Sequence, residues 1–392
     1  MSSWKLMEQT ISYPERTRLA KFILTTDKFT SGSKVMEFEK AWSEWLGCRY
    51  SLFVSSGSTA NLLLVAAIKE KYKLNVGDKV LVPACTWMTN VAPIIQLGLT
   101  PIFCDVNLEN FSYDVEDLKK ISENHPDIKM IFVTHLLGFP AENNIYREIF
   151  PDSLIIDDVC ESHGAKFTDG SKVGSDSLGA TFSFYFGHHM TTIEGGMVST
   201  NDKDLYDLMK MKRSHGLARE SIRFDDYAKE YAEIDKSFLF ITDGYNFRNH
   251  EISAVLGISQ LKKLNNSIKK RKDNYNYFYE ILNRYSELFY IPSNLDGNSS
   301  FCFPVISRSR DVHLNLKNEL RKAGIEYRPV VGGNLLAHPF LSNYSIGYDK
   351  DRYNVEILQD QGLYIGNHQF LNKRKIKILD KIFYRLGDKS NE

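Results

Sequence analysis

The chain has 392 residues, more than one ordinary domain needs, so a large and a small domain are expected. Hydrophobic residues make up 43% and aromatics 12%, ample for a globular core, and 49 Lys and Arg balance 49 Asp and Glu, which leaves no charged field for nucleic acid or a membrane surface. No apolar run reaches bilayer-spanning length, the opening MSSWKLMEQT lacks the apolar core of a secretory signal, and Cys48, Cys85, Cys104, Cys160 and Cys302 form no CxxC pair; a cytoplasmic protein without a disulfide framework or zinc site is expected.

After an entry segment of loops and short helix up to about Gly32, Lys34 to Leu46 reads as an amphipathic helix. Phe38, Trp42 and Trp45 fall at helical spacing and read as core, and Gly47 suits the helix end. Tyr50 to Val54 predicts a strand running into Ser55-Ser56-Gly57-Ser58-Thr59-Ala60-Asn61 and then a helix over Leu62 to Lys71. Small residues between a strand and a helix start leave backbone N–H groups and hydroxyls at the positive end of the helix dipole, an arrangement that holds phosphate; an ordinary Ser/Thr helix cap has the same composition.

Strands over Lys79 to Pro83, Pro101 to Val106, Met130 to Val133 and Leu154 to Ile156 alternate with helices over Met88 to Leu97, Val115 to Ile121 and Asn144 to Ile149. That alternation implies an α/β fold with a mainly parallel sheet covered on both faces. Functional groups then collect at the carboxyl ends of the strands. Trp87, Asp158 and His188 each stand just beyond an apolar run. Taken alone, Trp87 is equally a core ring and Asp158 a cap or ion-pair carboxylate.

Phe182 to Thr200, FSFYFGHHMTTIEGGMVST, carries a strand-like run with Phe182, Phe184, Tyr185 and Phe186, then His188-His189, a Thr-rich turn, Glu194-Gly195-Gly196 and a second apolar run. Two strands thus meet at a turn bearing two imidazoles and a carboxylate. On an extended segment neighbouring side chains point to opposite faces, so only one of His188 and His189 should face a common site. Lys203 to Arg213 reads as a helix closed by Ser214-His215-Gly216, and Leu217 to Asp243 as a charged, irregular surface excursion. Tyr245 to Arg248 leads into a long helix from about Glu251 to Tyr285 that crosses between the domains. After about Asn294 a smaller α+β unit follows, with a strand over Phe301 to Ile306 and a helix over Val312 to Ala323, so the division expected is 1–250 and 251–392.

Taken together, these stretches resemble a known family. The carriers are Ser55 to Asn61, Asp157-Asp158-Val159-Cys160-Glu161-Ser162-His163-Gly164, Ser183 to His189 with Glu194-Gly195-Gly196, Ser214-His215-Gly216, Gly244-Tyr245-Asn246-Phe247-Arg248, Gly324 to Pro329 with Asn334, and Gly362 to Gln369. They resemble the sugar aminotransferases and dehydratases of the DegT/DnrJ/EryC1 group, over essentially the whole chain. The resemblance implies fold type I of the pyridoxal-phosphate enzymes, aspartate aminotransferase-like, with a mainly parallel seven-stranded sheet and a smaller α+β C-terminal domain. It further implies that Asp158 pairs with the cofactor's ring nitrogen, that Gly57, Ser58 and Ser183 hold its phosphate, and that Trp87 stacks on its ring. Glu161 stands where aminotransferases of the family carry Gln, near the ring or its hydroxyl. Asn246 would reach the phosphate of a neighbouring subunit, which makes an obligatory homodimer with shared sites. Arg248 is either a clamp for the carboxylate of an L-glutamate cosubstrate or an interface ion pair. Arg328 is a substrate-binding candidate. His215 either assists at the substrate or caps its helix, and His163 reads as packing or surface.

In that family a Lys six positions before the Glu of Glu-Gly-Gly holds the cofactor covalently; six before Glu194 stands His188. Imidazole moves protons near neutrality but makes no stable imine. The change resembles the sugar 3-dehydratase branch. It implies pyridoxal or pyridoxamine phosphate held noncovalently, and C3 dehydration of a GDP-linked 4-keto-6-deoxy hexose or heptose to a 4-keto-3,6-dideoxy sugar for surface polysaccharide. Alternatives are a nucleotide-sugar 4-aminotransferase with another Lys, a catalytically dead cofactor-binding protein, and a CDP-4-keto-6-deoxyglucose 3-dehydratase-like enzyme with an iron–sulfur partner. The last needs a cysteine cluster that this chain lacks.

Overall fold

The computed structural model describes residues 3–293, 296–342, 344 and 353–389, so the turning point expected at Asn294 lies outside the described residues. The first elements are α1 (Tyr13–Thr25), α2 (Ser33–Leu46), β1 (Tyr50–Val54), α3 (Gly57–Lys71), β2 (Lys79–Pro83), α4 (Ala92–Gln96), β3 (Thr100–Cys104), α5 (Val115–Asn124), β4 (Met130–Thr134), α6 (Asn143–Ile149) and β5 (Leu154–Asp158). Then come β6 (Gly179–Ser183), β7 (Gly196–Thr200), α7 (Lys203–Arg213), α8 (Phe224–Glu230) and the 32-residue α9 (Glu251–Leu282). The chain continues with β8 (Phe289–Tyr290), β9 (Cys302–Ser307), α10 (Arg310–Lys322), β10 (Tyr327–Pro329), α11 (Asn354–Gln361), β11 (Gly362–Gly366) and α12 (Lys373–Lys389).

β1 to β7 form a seven-stranded sheet in the order β1-β7-β6-β5-β4-β2-β3. Pairings from β3 across to β6 are parallel, whereas β7 runs antiparallel to both β6 and β1. Strands buried on two faces need apolar side chains on both. In β1, Leu52 and Val54 join Leu64, Ile68, Val80, Phe132 and Val198 on one side, while Phe53 joins Phe38, Trp42, Phe182, Phe184 and Met197 on the other. β10-β11-β9-β8 form a second, antiparallel sheet. Its core takes Phe303, Val305, Leu316, Leu320, Leu379 and Phe383 together with Tyr275, Phe278 and Ile281 from the second half of α9. At 1.5 Å per residue α9 is about 48 Å long, enough to reach from one core to the other.

Three sequence expectations need correction. The aromatic run after Phe182 is not all strand: β6 stops at Ser183, because beyond it the backbone turns to bond Thr192 N–H to Phe184 O. The helix expected over Met88 to Leu97 is a 3-10 turn, Met88–Asn90, followed by the five-residue α4, which starts afresh with Pro93 in its first turn. The excursion after Leu217 is not wholly irregular, since it carries α8. The entry segment also reaches further than its composition suggests. Trp4 is buried, bridges to Ile325 and donates its indole N–H to Gly366 O at 2.9 Å, fastening the N-terminal segment to the second sheet. Among the described residues no helix is long and apolar enough to cross a membrane.

α2 and α9 meet at Gly257, where an added Cβ would lie 2.6 Å from Cζ of Phe38. That ring is fixed by edge contact with Phe53 at 5.0 Å and by Phe184 at 5.4 Å, so it has no room to retreat. Gly257→Ala is therefore expected to destabilise the fold by about 1–3 kcal/mol through overpacking, even though Ala is the better helix former, as read from urea denaturation midpoints.

Candidate active site at the carboxyl ends of the strands

A cleft of about 560 Å³ opens beyond the ends of β1, β4 and β5 and is closed on its far side by residues of β9, β10 and β11. It gathers eight of the expected residues: Gly57, Ser58, Trp87, Asp158, Glu161, Ser183, His188 and Arg328. His215, Asn246 and Arg248 do not line it.

One end is built by the start of α3. Ser56 caps the helix, accepting the Thr59 N–H at 3.1 Å, while no described residue accepts the N–H of Gly57 or Ser58. Those two donors and the helix dipole face the cleft, an anion site ready-made. Position 57 must be glycine here: a Cβ would sit 2.7 Å from Cβ of Ser183 and 3.1 Å from Sγ of Cys160. Trp87 stands at the mouth, 58% exposed, so it is not the core ring that strand-end aromatics usually are.

Asp158 closes β5 and is 4% exposed. One carboxylate oxygen accepts the Cys160 N–H at 2.8 Å and the other the Asn61 side-chain N–H at 3.0 Å, which fixes the group in one orientation. Three residues on, Glu161 Oε2 accepts the Leu137 N–H at 3.0 Å. Burial, offset in part by that N–H, and the negative charge of Asp158 push the Glu161 carboxyl up to about 7.

His188 sits in a bend, its N–H bonded to Tyr185 O at 3.1 Å. The ring is half-buried: it lines the cleft, while Nδ1 is enclosed and has no partner among the described residues. Desolvation and then the positive charge of Arg271 lower its pKa to about 4, so it is a neutral imidazole at physiological pH. The alternation argument for His188 and His189 does not hold, because the segment is not extended. Both rings pack against Phe301, at 5.8 and 5.9 Å, and against His163. Only His188 lines the cleft; His189 turns inward and meets Ser299 O at 3.1 Å. His163 is a packing residue, wedged among Trp42, Phe182 and Phe184. Among the described residues no lysine lines the cleft.

Sequence reasoning missed Arg271. It is 1% exposed, lines the cleft from α9, and donates to the carbonyls of Phe301 and Asn367. Within Lys269-Lys270-Arg271-Lys272 it reads as part of a solvated face, and only its phase on the helix, in line with the buried Asn274, Tyr275 and Phe278, could have exposed it. Burial lowers its pKa to about 10, which leaves it charged at neutral pH.

His215, Asn246 and Arg248 form a second group. Arg248 donates to Asn246 Oδ1 at 3.1 Å and its Nη2 lies 3.3 Å from Nε2 of His215. His215 is held at φ 65° while its N–H bonds Tyr245 O at 2.7 Å, a left-handed conformation unusual for a non-glycine residue. The group adjoins the end of β1, where Ser55 N–H bonds Phe247 O and Val54 bridges to Arg248.

Burial first, and then neighbouring positive charge, holds His163, His188, His189 and His368 below the ordinary imidazole range. As pH falls through 6.5 the unfolded chain takes up protons that these four refuse, so stability should fall toward pH 4. The raised carboxyls of Asp105 and Glu161 oppose this, but burial also lowers His313, so the imidazoles outnumber them five to two. Urea midpoints are expected to drop between pH 7 and pH 5, and to drop less in His163→Phe, which deletes one refusing imidazole within an aromatic setting.

The DegT/DnrJ/EryC1/StrS aminotransferase family model matches residues 12–382. Over 370 residues the chain is 36% identical to a GDP-4-keto-6-deoxy-D-mannose 3-dehydratase of Yersinia pseudotuberculosis, spanning 92% of this chain and 93% of that one. Its fold matches E. coli GDP-4-keto-6-deoxy-D-mannose-3-dehydratase with bound hydrated PLP, with a TM-score of 0.91 at 32% identity over 98% of this chain and 100% of the other. A GDP-4-keto-6-deoxymannose-3-dehydratase with a trapped PLP-glutamate geminal diamine matches with a TM-score of 0.89 at 32% identity, over 97% and 100%. The chain, with its aspartate aminotransferase-like sheet and its cleft at the strand ends, belongs to the DegT/DnrJ/EryC1/StrS aminotransferase family.

Proposed function

We propose that this protein is a pyridoxal-phosphate-dependent 3-dehydratase of a GDP-linked 4-keto-6-deoxy sugar, hexose or heptose, working in the cytoplasm with L-glutamate as amino donor. The observation that carries the reading is a cleft at the strand ends in which no lysine stands among the described residues and a neutral imidazole, His188, does. The likeness to relatives named for this reaction supports it.

The residues present fit the cofactor. The open N–H groups of Gly57 and Ser58, the hydroxyl of Ser183 and the helix dipole suit its phosphate. Asp158, fixed by two donors, suits its protonated ring nitrogen, and the rim indole of Trp87 suits its ring face. Bound, the cofactor supplies an amine for the sugar's C4 ketone and a ring that accepts electrons. His188 then has one task, moving protons. As a neutral base it takes the proton whose removal expels the C3 hydroxyl, and it carries the proton shift in the glutamate half. Asp158 stabilises the positive ring nitrogen that lets charge spread. Arg328, exposed at the cleft edge, is assigned to the substrate. The products are a 4-keto-3,6-dideoxy sugar, ammonia and 2-oxoglutarate.

Asn246, Arg248 and His215 are assigned to the cleft of a second copy in a homodimer: Asn246 to the phosphate, Arg248 to the glutamate carboxylate and His215 to the substrate. Their grouping outside the cleft of their own chain supports this. So do the exposed rings of Phe238 and Phe240 on the same excursion, apolar surface that a second copy would cover. Residues 1–250 would carry most of the cofactor site and residues 251–392 would close it.

Mass spectrometry of reactions with GDP-linked 4-keto-6-deoxymannose and glutamate should show a 4-keto-3,6-dideoxy product, reduced about 10²–10⁴-fold by His188→Asn. Borohydride treatment of the cofactor-loaded protein should label no lysine; a labelled lysine or an aminated sugar would favour an aminotransferase. Shared sites make a second expectation. Homodimers of His188→Asn and of Asn246→Ala should both be impaired, and mixing the two chains should restore activity in the one site that escapes both changes.

A further inference from the structure

Two carboxyls stand three residues apart on the cleft wall, and they are held differently. Asp158 takes two hydrogen bonds, from the Cys160 N–H and the Asn61 amide, one on each oxygen. Glu161 takes one, from the Leu137 N–H to Oε2, and no described residue donates to its Oε1. The groups that face Glu161 offer no positive charge. They are Asp158 and the Cys160 thiol from its own segment, the Cys85 thiol beyond β2, the Cys302 thiol at the start of β9 and the Tyr364 phenol on β11. The two cleft cations are engaged elsewhere, Arg271 with the carbonyls of Phe301 and Asn367 and Arg328 beside Tyr364. A carboxylate so placed would be a desolvated anion next to another anion.

We infer that Glu161 works as a neutral carboxylic acid, with its Oε1 proton donated to the phenolic oxygen of the bound cofactor. The inference rests on the cofactor placement proposed above. With the phosphate at the start of α3 and the ring nitrogen against Asp158, the remaining acceptor on the ring is the phenolic oxygen. A carboxylate at 161 would repel that oxygen, whereas the protonated acid complements it while Oε2 keeps the Leu137 N–H. The N–H that holds Oε2 belongs to a strained turn: Leu137 sits at φ 56°, a left-handed conformation uncommon for a branched residue. The upward displacement of the Glu161 carboxyl to about 7 agrees with a proton held there near neutrality.

The sign follows. A group whose pKa is raised holds its proton below that value and loses it above, so the donor is present at pH 6 and fades as pH rises through about 7. Equilibrium dialysis of pyridoxal phosphate against the full-length cofactor-free protein tests this without reference to turnover. Glu161→Gln keeps an acceptor for the Leu137 N–H and offers an N–H at every pH. Between pH 6 and pH 8.5 the wild type is expected to lose about tenfold more affinity than Glu161→Gln, whose profile then reports only the cofactor's own ionisations. At pH 6 the two proteins should bind within a few-fold of each other. Parallel profiles, or a Glu161→Gln protein that binds much more weakly at pH 6, would overturn the inference. Asp158→Asn separates it from the placement on which it rests: if that variant bound the cofactor as well as wild type at every pH, the ring assignment itself would fail.

Discussion

The site depends on the register of one antiparallel strand laid between two others. β7 enters between β1 and β6, and its first residue, Gly196, pairs with Val54 on one side and Ser183 on the other. That double pairing brings the end of β1, the start of α3 and the end of β6 to one point. The residues between β6 and β7 leave the sheet after Ser183. They fold over the cleft, with Phe184 N–H bonded to Gly195 O and Thr192 N–H to Phe184 O, and the bend at Tyr185 to His188 follows. A slip of one residue would turn Ser183 away from Gly57 and remove His188 from the cleft together.

Electrostatics on the opposite wall come from Arg271. A buried guanidinium is costly unless its donors are met, and here Nη1 donates to the carbonyl oxygens of Phe301 and Asn367 and Nη2 to the Met7 sulfur, while Nε has no partner among the described residues and no carboxylate pairs with the group. The charge is therefore solvated by the backbone but not neutralised. It acts on every imidazole within reach, and His163, His188, His189 and His368 all titrate low partly on its account. The wall from α9 thus keeps imidazoles in the state that accepts a proton, while on the strand-end wall burial favours proton retention by Glu161. A cleft with opposite biases on its two sides is suited to moving protons across a bound molecule.

Much of this was legible beforehand, for physical reasons that differ by residue. Doubly buried parallel strands must be apolar runs, so β2, β4 and β5 were readable within a residue or two. His188 was legible because a spacing to Glu194 exposed a missing lysine, and Asp158 because it ends an apolar run. The bend after Ser183 was not, since Phe184, Tyr185 and Phe186 have the composition of a strand and only the turn that bonds Thr192 N–H to Phe184 O ends it. Arg271 was hidden by lysines on either side, and Trp4 by its place in an entry segment whose partner lies more than 300 residues away in the chain. The left-handed backbone of Leu137 and His215 has no marker in composition at all.

The replacement of an amine by an imidazole at position 188 changes less than it first suggests. A lysine there would be desolvated in the same cleft and would face the same Arg271 charge, and both effects favour an uncharged amine over an ammonium ion. The surroundings therefore call for a neutral base whichever residue supplies it. What differs is the covalent option. An amine can attack an aldehyde and be released again, so a lysine competes with the amino group brought in by a cosubstrate. An imidazole forms no such lasting bond, so it leaves that amino group on the cofactor for the next partner to enter. On the reading proposed above, the anion cradle at Gly57 and the charge of Arg271 would serve either base, and the side chain at position 188 would set whether the protein joins in the bonding or only in the traffic of protons.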